Sequence, residues 1–197
     1  RQAYVKALRN NHMVSFDNYP IEYKIMKNTT NVLGVVGHFG CVTKLECLFD
    51  DVRDQLTGNC KDLFQEEFQI VLKHMRHRHY LENEKVFMNV YGNTLAKDGT
   101  SAGLALFASV YAHKHHLDIS EFGFTGEVTL LGRVEQIGGL YFKLLAAKNA
   151  GLKKVIIPFD NHKEYVEMSN DFEGLEVYFV KDTEECIHIL EDNYVNY

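Results

Sequence analysis

The chain has 197 residues, is 46% hydrophobic and 24% charged, and carries a net charge of −6 at neutral pH. That length and balance exclude disordered, collagen-like and coiled-coil chains. They predict one domain, or one domain plus a fragment, with a core that needs no disulfides. No apolar run approaches ~18 residues, so no membrane-spanning segment is expected. The charge is uneven. Residues 158–197 hold eleven acids and two lysines, net −9, which leaves +3 for the rest. An acidic chain without a basic stretch is a poor nucleic-acid binder, and the acidic tail reads as a solvated face.

A start at Arg1 rather than Met reads as a processed product or a piece of a longer chain. Ala3, Val5, Ala7 and Leu8 suggest a short helix over residues 1–10, closed by Asn10 and Asn11. Asp17-Asn18-Tyr19-Pro20 is a turn signal. A boundary is placed near it, with a linker or the end of another module over 1–30 and the main domain over 31–197. Residues 32–36 and 42–49 read as two strands around a turn containing Gly37 and Gly40. Residues 58–77 read as a helix, with Leu63, Phe64, Phe68, Val71, Leu72 and Met75 on one face. A strand is expected over 86–91, then a loop from Gly92 to Gly99, and a helix over 101–115. A strand over 126–131 ends at Gly132. Gly138-Gly139 opens a helix over 140–150, and Gly151 stands where a C-terminal glycine cap belongs. Strands over 154–158 and 175–180 and a last helix over 183–190 follow. The alternation predicts an α/β or α+β fold, a mixed sheet with helices packed on it.

Four cysteines, Cys41, Cys47, Cys60 and Cys186, show no C-x-x-C spacing, so a zinc site is not expected. A reducing compartment is the first reading and one opportunistic disulfide the alternative. His74, His77 and His79 end one helix, and His113, His115 and His116 another. Dipole-favoured histidines at helix C-termini outweigh a metal site as the explanation. No G-x-x-x-x-G-K-[ST] occurs, so the chain has no P-loop of its own.

Three segments carry chemistry. In Lys97-Asp98-Gly99-Thr100-Ser101-Ala102-Gly103 a serine stands at the start of a helix after a glycine-containing loop. Unpaired backbone N–H groups and the helix dipole suit an oxyanion there, or a phosphate. The commonplace alternative is an N-cap serine. In Ile137-Gly138-Gly139-Leu140-Tyr141-Phe142-Lys143-Leu144-Leu145-Ala146-Ala147, Lys143 shares a helix face with Leu140, Leu144 and Ala147. Such a lysine either snorkels to water or is buried with a lowered pKa. A free lysine titrates near ~10.4, and bringing it to ~7 costs the charged form roughly 4–5 kcal/mol, which apolar burial can supply. A neutral lysine can take a serine's proton without a histidine. In Thr125-Gly126-Glu127 the threonine hydroxyl is of a kind that orients a neutral amine.

In this order, and with Gly132, the run from Gly151 to Pro158 and Leu175-Glu176-Val177 following the same pattern, the segments resemble the proteolytic domain of the Lon family, the ATP-dependent Ser–Lys proteases. The likeness is strong over 85–190 and looser over 31–84. It implies Ser101 as nucleophile, Lys143 as general base and Thr125 as the lysine's support, with Asp98, Gly99 and Glu127 close to the site. It further implies a serine endopeptidase acting on unfolded or damaged polypeptides in protein quality control, within a hexameric ring. No cofactor is expected in this chain; ATP and Mg would act only through an ATPase module upstream, whose end residues 1–30 resemble. The Lys97-Asp98-Gly99 start resembles the soluble bacterial and mitochondrial branch, implying a cytoplasmic or mitochondrial-matrix setting without membrane attachment. The chain departs from the pattern at Thr100, where the family has proline, at Tyr141-Phe142, where it has a Lys-Glu pair, and at Phe87 and Asn89, where histidines are common. These departures leave one alternative: an inactive Lon-like binding or assembly module.

Overall fold

The computed structural model describes residues 29–92 and 99–193. The expected helix over 1–10, the turn at Asp17-Asn18-Tyr19-Pro20 and nearly all of the expected 1–30 segment lie outside them.

Among the described residues a seven-stranded sheet forms the frame. Its strands are β1 (Thr29–Val36), β2 (Phe39–Asp50), β3 (Gln55–Gly58), β4 (Lys85–Tyr91), β5 (Phe122–Phe124), β8 (Lys154–Pro158) and β9 (Glu176–Val180), side by side in the order β3-β4-β2-β1-β5-β8-β9. The β1–β2 hairpin and the β2–β4 pair are antiparallel. The pairs β3–β4, β1–β5, β5–β8 and β8–β9 are parallel. A two-stranded ribbon, β6 (Glu127–Val128) with β7 (Val134–Glu135), stands apart from it. Among the described residues there are five helices: α1 (Asp62–His77), α2 (Gly103–His115), α3 (Leu140–Asn149), α4 (His162–Met168) and α5 (Thr183–Asp192).

Strand alternation divides the core between the two sheet faces. On β1, Val32 joins one apolar cluster and Leu33 the other; on β8, Ile156 joins the first, and Val155 and Ile157 the second. The first cluster gathers α1, α2 and α5, including Phe68, Leu72, Phe107 and Leu190. The second gathers α3 and the chain leading to β9, including Leu140, Leu144, Phe172 and Leu175. The α/β expectation holds, with helices on both sides of a mixed sheet. Helix α2 is buried on every side from Gly103 to Ala112, as its nearly uninterrupted apolar sequence requires.

Several boundaries differ from the expectation. Residues 58–61 are not helical: Gln55–Gly58 is a parallel edge strand, and α1 begins at Asp62. The strand expected over 126–131 is two pieces of other structure. The sheet strand is Phe122–Phe124, and Glu127–Val128 belongs to the ribbon. Thr129 accepts and donates backbone bonds in a turn to Gly132 and Arg133, which stops that ribbon. Helix α4 was not anticipated. Phe122 and Phe124 are buried and stacked on one another, and Tyr141 and Phe142 pair edge-to-face on α3. None of the eleven acids after residue 158 is buried. Among the described residues, no helix is long and apolar enough to cross a membrane.

Candidate active site

Ser101 lies in a single 3-10 turn, Thr100–Ala102, that runs directly into α2. The turn is entered through Gly99 at φ +120, a backbone conformation that a side chain would strain. Ser101 does not cap the helix: the position before α2 is Ala102, with no side-chain cap bond. Backbone bonds staple this turn to the segment after β5. The Gly126 N–H donates to the Ser101 carbonyl at 2.8 Å, and the Leu104 N–H donates to the Gly126 carbonyl at 2.8 Å. The residue before Gly126 is Thr125, which is fully buried.

Lys143 is 4% exposed, on the face of α3 that also buries Leu140, Leu144 and Ala147. Its Nζ donates to Thr125 Oγ1 at 3.1 Å. Burial lowers its pKa from 10.5 to about 8, against a smaller opposing effect of the Cys41 sulfur. Near neutrality it is therefore far richer in free amine than an exposed lysine. Ser101 and Lys143 line one cavity of about 500 Å³, together with Cys41, Gly99, Gly139 and Phe142. The apolar β1 residues Val32, Leu33, Val35 and Val36 form its wall. Of the departures at Tyr141 and Phe142, Phe142 lines the cavity and faces the His38 ring, whereas Tyr141 is exposed and packs on Phe172.

Glu127 is half-buried on β6, paired in register with Glu135 on β7. Asp98 lies outside the described residues. Of the histidines at the helix ends, His74 is buried, His113 is half-buried, and His77, His79, His115 and His116 are exposed. His74 donates from Nδ1 to the Leu130 carbonyl, which leaves Nε2 to accept from the Thr183 hydroxyl at 2.8 Å. His113 sits edge-on to Phe49, and His115 lies against Tyr111. Among the described residues, no group of three or more His, Cys, Asp or Glu is placed to hold a metal ion.

One buried carboxyl beside the serine turn was not singled out from the sequence. Glu67, on α1, is fully buried, and its Oε1 accepts from the Val128 N–H at 2.8 Å. Its Oε2 has no partner among the described residues. Burial pushes its pKa up to about 7; the Glu127 charge adds to that, and the Val128 bond opposes it. A signal was present: residue 67 stands three after Phe64 and four before Val71, on the apolar stripe of α1, where an acid is out of place.

Residues 27–192 match the family model for the Lon protease (S16) C-terminal proteolytic domain. The Lon protease of Buchnera aphidicola subsp. Schizaphis graminum is 35% identical over 147 residues, 70% of this chain and 19% of that protein. The Lon protease of Lachnoclostridium phytofermentans is 34% identical over 145 residues, 67% of this chain and 18% of that one. A mitochondrial Lon protease homolog of Zea mays is 36% identical over 135 residues, 64% of this chain and 14% of that one. The chain thus spans about a fifth of the length of the curated relatives it matches. A family model that matches residues 27–192, and relatives about 35% identical over about 70% of the chain, show that the chain belongs to the Lon protease (S16) family, in its C-terminal proteolytic domain.

Proposed function

We propose that this chain is the peptide-cleaving part of an ATP-dependent Lon-type protease, a serine endopeptidase working through a Ser101–Lys143 dyad on unfolded or damaged polypeptides. The observation that carries the reading is the buried Lys143 amine, held by Thr125 on the cavity that Ser101 also lines. Neutral Lys143 takes the proton from Ser101 Oγ, and the oxygen attacks the substrate carbonyl carbon. The Gly103 and Leu104 N–H groups at the start of α2 are already paired with the Thr100 and Gly126 carbonyls, so backbone N–H groups of the Ser101 turn itself hold the oxyanion, helped by the positive end of the helix. The amine leaves with a proton returned from Lys143, and a water activated by Lys143 hydrolyses the acyl-enzyme. Thr125 orients the amine and Gly99 permits the turn, and by the family resemblance Asp98 and Glu127 take the acidic positions of the site. ATP hydrolysis and Mg binding belong to an ATPase module elsewhere in the full-length protein, and a hexameric ring encloses the sites. A bacterial cytoplasm or a mitochondrial matrix is the compartment this implies.

The test is cleavage of unfolded casein by the chain and by its Ser101→Ala and Lys143→Met variants. Cleavage lost in both variants supports the dyad. A Ser101→Ala protein that still cuts casein removes it, and a wild-type chain inert toward casein favours the binding or assembly module.

A further inference from the structure

Glu67 takes no part in the proton transfers assigned to Ser101 and Lys143, yet its carboxyl is wedged into the serine turn. Gly103, two residues after Ser101, is backed directly by Glu67 Oε1; a Cβ at that position would overlap the oxygen and crowd the Val128 N–H. The same oxygen holds Val128 on β6, while Gly126 between them holds the Ser101 carbonyl and the Leu104 N–H. One carboxyl thereby ties α1, the start of α2 and the segment after Thr125 together.

We propose that Glu67 is a positioning residue for Ser101: protonated, it locks the helix start in place, and ionised, it draws on the positive end of α2 that the oxyanion needs. The proposal rests on Ser101 being the nucleophile. The unpartnered Oε2 is the reason the neutral form suits the site. A buried carboxylate with one bonded and one orphaned oxygen is costly, and a proton on Oε2 removes the charge. The charged surroundings reinforce this. Glu127 on β6 and Glu135 opposite it on β7 are both acids. Helix α2 carries no charged side chain from Gly103 to Ala112, Glu66 on the same helix as Glu67 points to solvent, and among the described residues the cation lining the neighbouring cavity is Lys143 on α3. Glu67 thus titrates near neutrality, at about 7. An anion formed on the Ser101 side and a negative Glu67 behind the turn compete for the same helix end.

The experiment is the rate of Ser101 acylation by a fluorophosphonate, measured on the whole chain from about pH 6 to about pH 9. Wild type and Glu67→Gln are compared, with Ser101→Ala as control. Glutamine keeps the acceptor for Val128 and cannot ionise. The Glu67→Gln to wild-type ratio should rise with a midpoint near pH 7 and reach about two- to fivefold at the alkaline end, the scale of a charge at a helix terminus. A purely structural carboxyl changes the rate by one factor at every pH, so a flat or falling ratio overturns the proposal. A second measurement needs no variant. The carboxyl 13C resonance of Glu67 should titrate near pH 7. Its midpoint should move up when a peptide boronate forms a tetrahedral boron anion on Ser101 Oγ, because the coupling is reciprocal. A midpoint in the ordinary carboxylate range, or one unmoved by the boronate, overturns it equally. A Ser101→Ala protein that still reacts defeats the nucleophile assignment instead, an outcome distinct from a flat ratio.

Discussion

Replacing Lys143 by Met should stabilise this protein at neutral pH while abolishing its proposed chemistry. The amine is buried among Leu140, Leu144 and Ala147, and its pKa stands at about 8 against an ordinary 10.5. At ~1.36 kcal/mol per pH unit, that difference means burying the charged lysine costs the fold roughly 3 kcal/mol below pH 8. Methionine fills similar volume without the charge. It leaves the fully buried Thr125 hydroxyl without its partner, a cost of about 2 kcal/mol, so the net gain at neutral pH should be about 1 kcal/mol. The sign with pH follows from proton binding. Between about 8 and 10.5 the unfolded chain holds more protons on this lysine than the native one, so wild-type stability rises with pH there. The lysine cost is fully present below 8, shrinks through that window and is gone above it. Urea unfolding of both proteins at pH 7 and pH 9.5 is the assay. Other titrating groups cancel in the difference, and about 2 kcal/mol of the wild-type cost should have vanished at the higher pH. A gap between variant and wild type that stays constant with pH would refute a lysine held neutral by burial.

Three more outcomes are expected. Thr125→Val keeps the shape of a fully buried residue but removes the partner of the neutral Lys143 amine, so the rate of casein cleavage should fall about two- to tenfold, the range for an uncharged hydrogen bond. Gly103→Ala drives a methyl group into Glu67 Oε1 and should cost about 1–3 kcal/mol by overpacking, seen as a lower Tm. Burial lowers the pKa of His74, which accepts from Thr183 in its neutral form. Its contribution is present above the ordinary histidine value of about 6.5 and is lost as pH falls below it. Acid unfolding of the wild type should therefore begin at higher pH than that of a His74→Gln variant, followed by circular dichroism.

Much of the frame was legible because its signals were long or chemically sharp. The hairpin, α1, α2, α3 and β8 rest on runs with clear period or on glycines at their ends, and Gly151, at φ +77 after α3, is the cap the pattern calls for. Lys143 was readable because its neighbours at helical spacing are all apolar, and those neighbours are buried. What escaped was short or decided at long range. Four residues, Gln55–Gly58, give no periodicity, and they become a strand only because β4 offers an edge. The segment Thr125–Val128 looks like a continuous strand, but its polar groups are claimed by Ser101, Leu104, Lys143 and Glu67. Those partners are distant in sequence, and they turn the segment into part of the site instead of the sheet. Helix α4 has no buried residue and so left no apolar stripe to read. Glu67 was the converse, a misplaced acid on a clear stripe, whose meaning appears only once Gly103 and Val128 are packed against it.

The most direct test of the central claim is to react the chain with a fluorophosphonate, map the adduct by mass spectrometry, and follow its rate with pH. The account predicts modification at Ser101, a rate that climbs as the amine of Lys143 loses its proton around pH 8, and loss of that reactivity in Lys143→Met. An adduct on another residue, or a Ser101 rate indifferent to Lys143→Met, would contradict it.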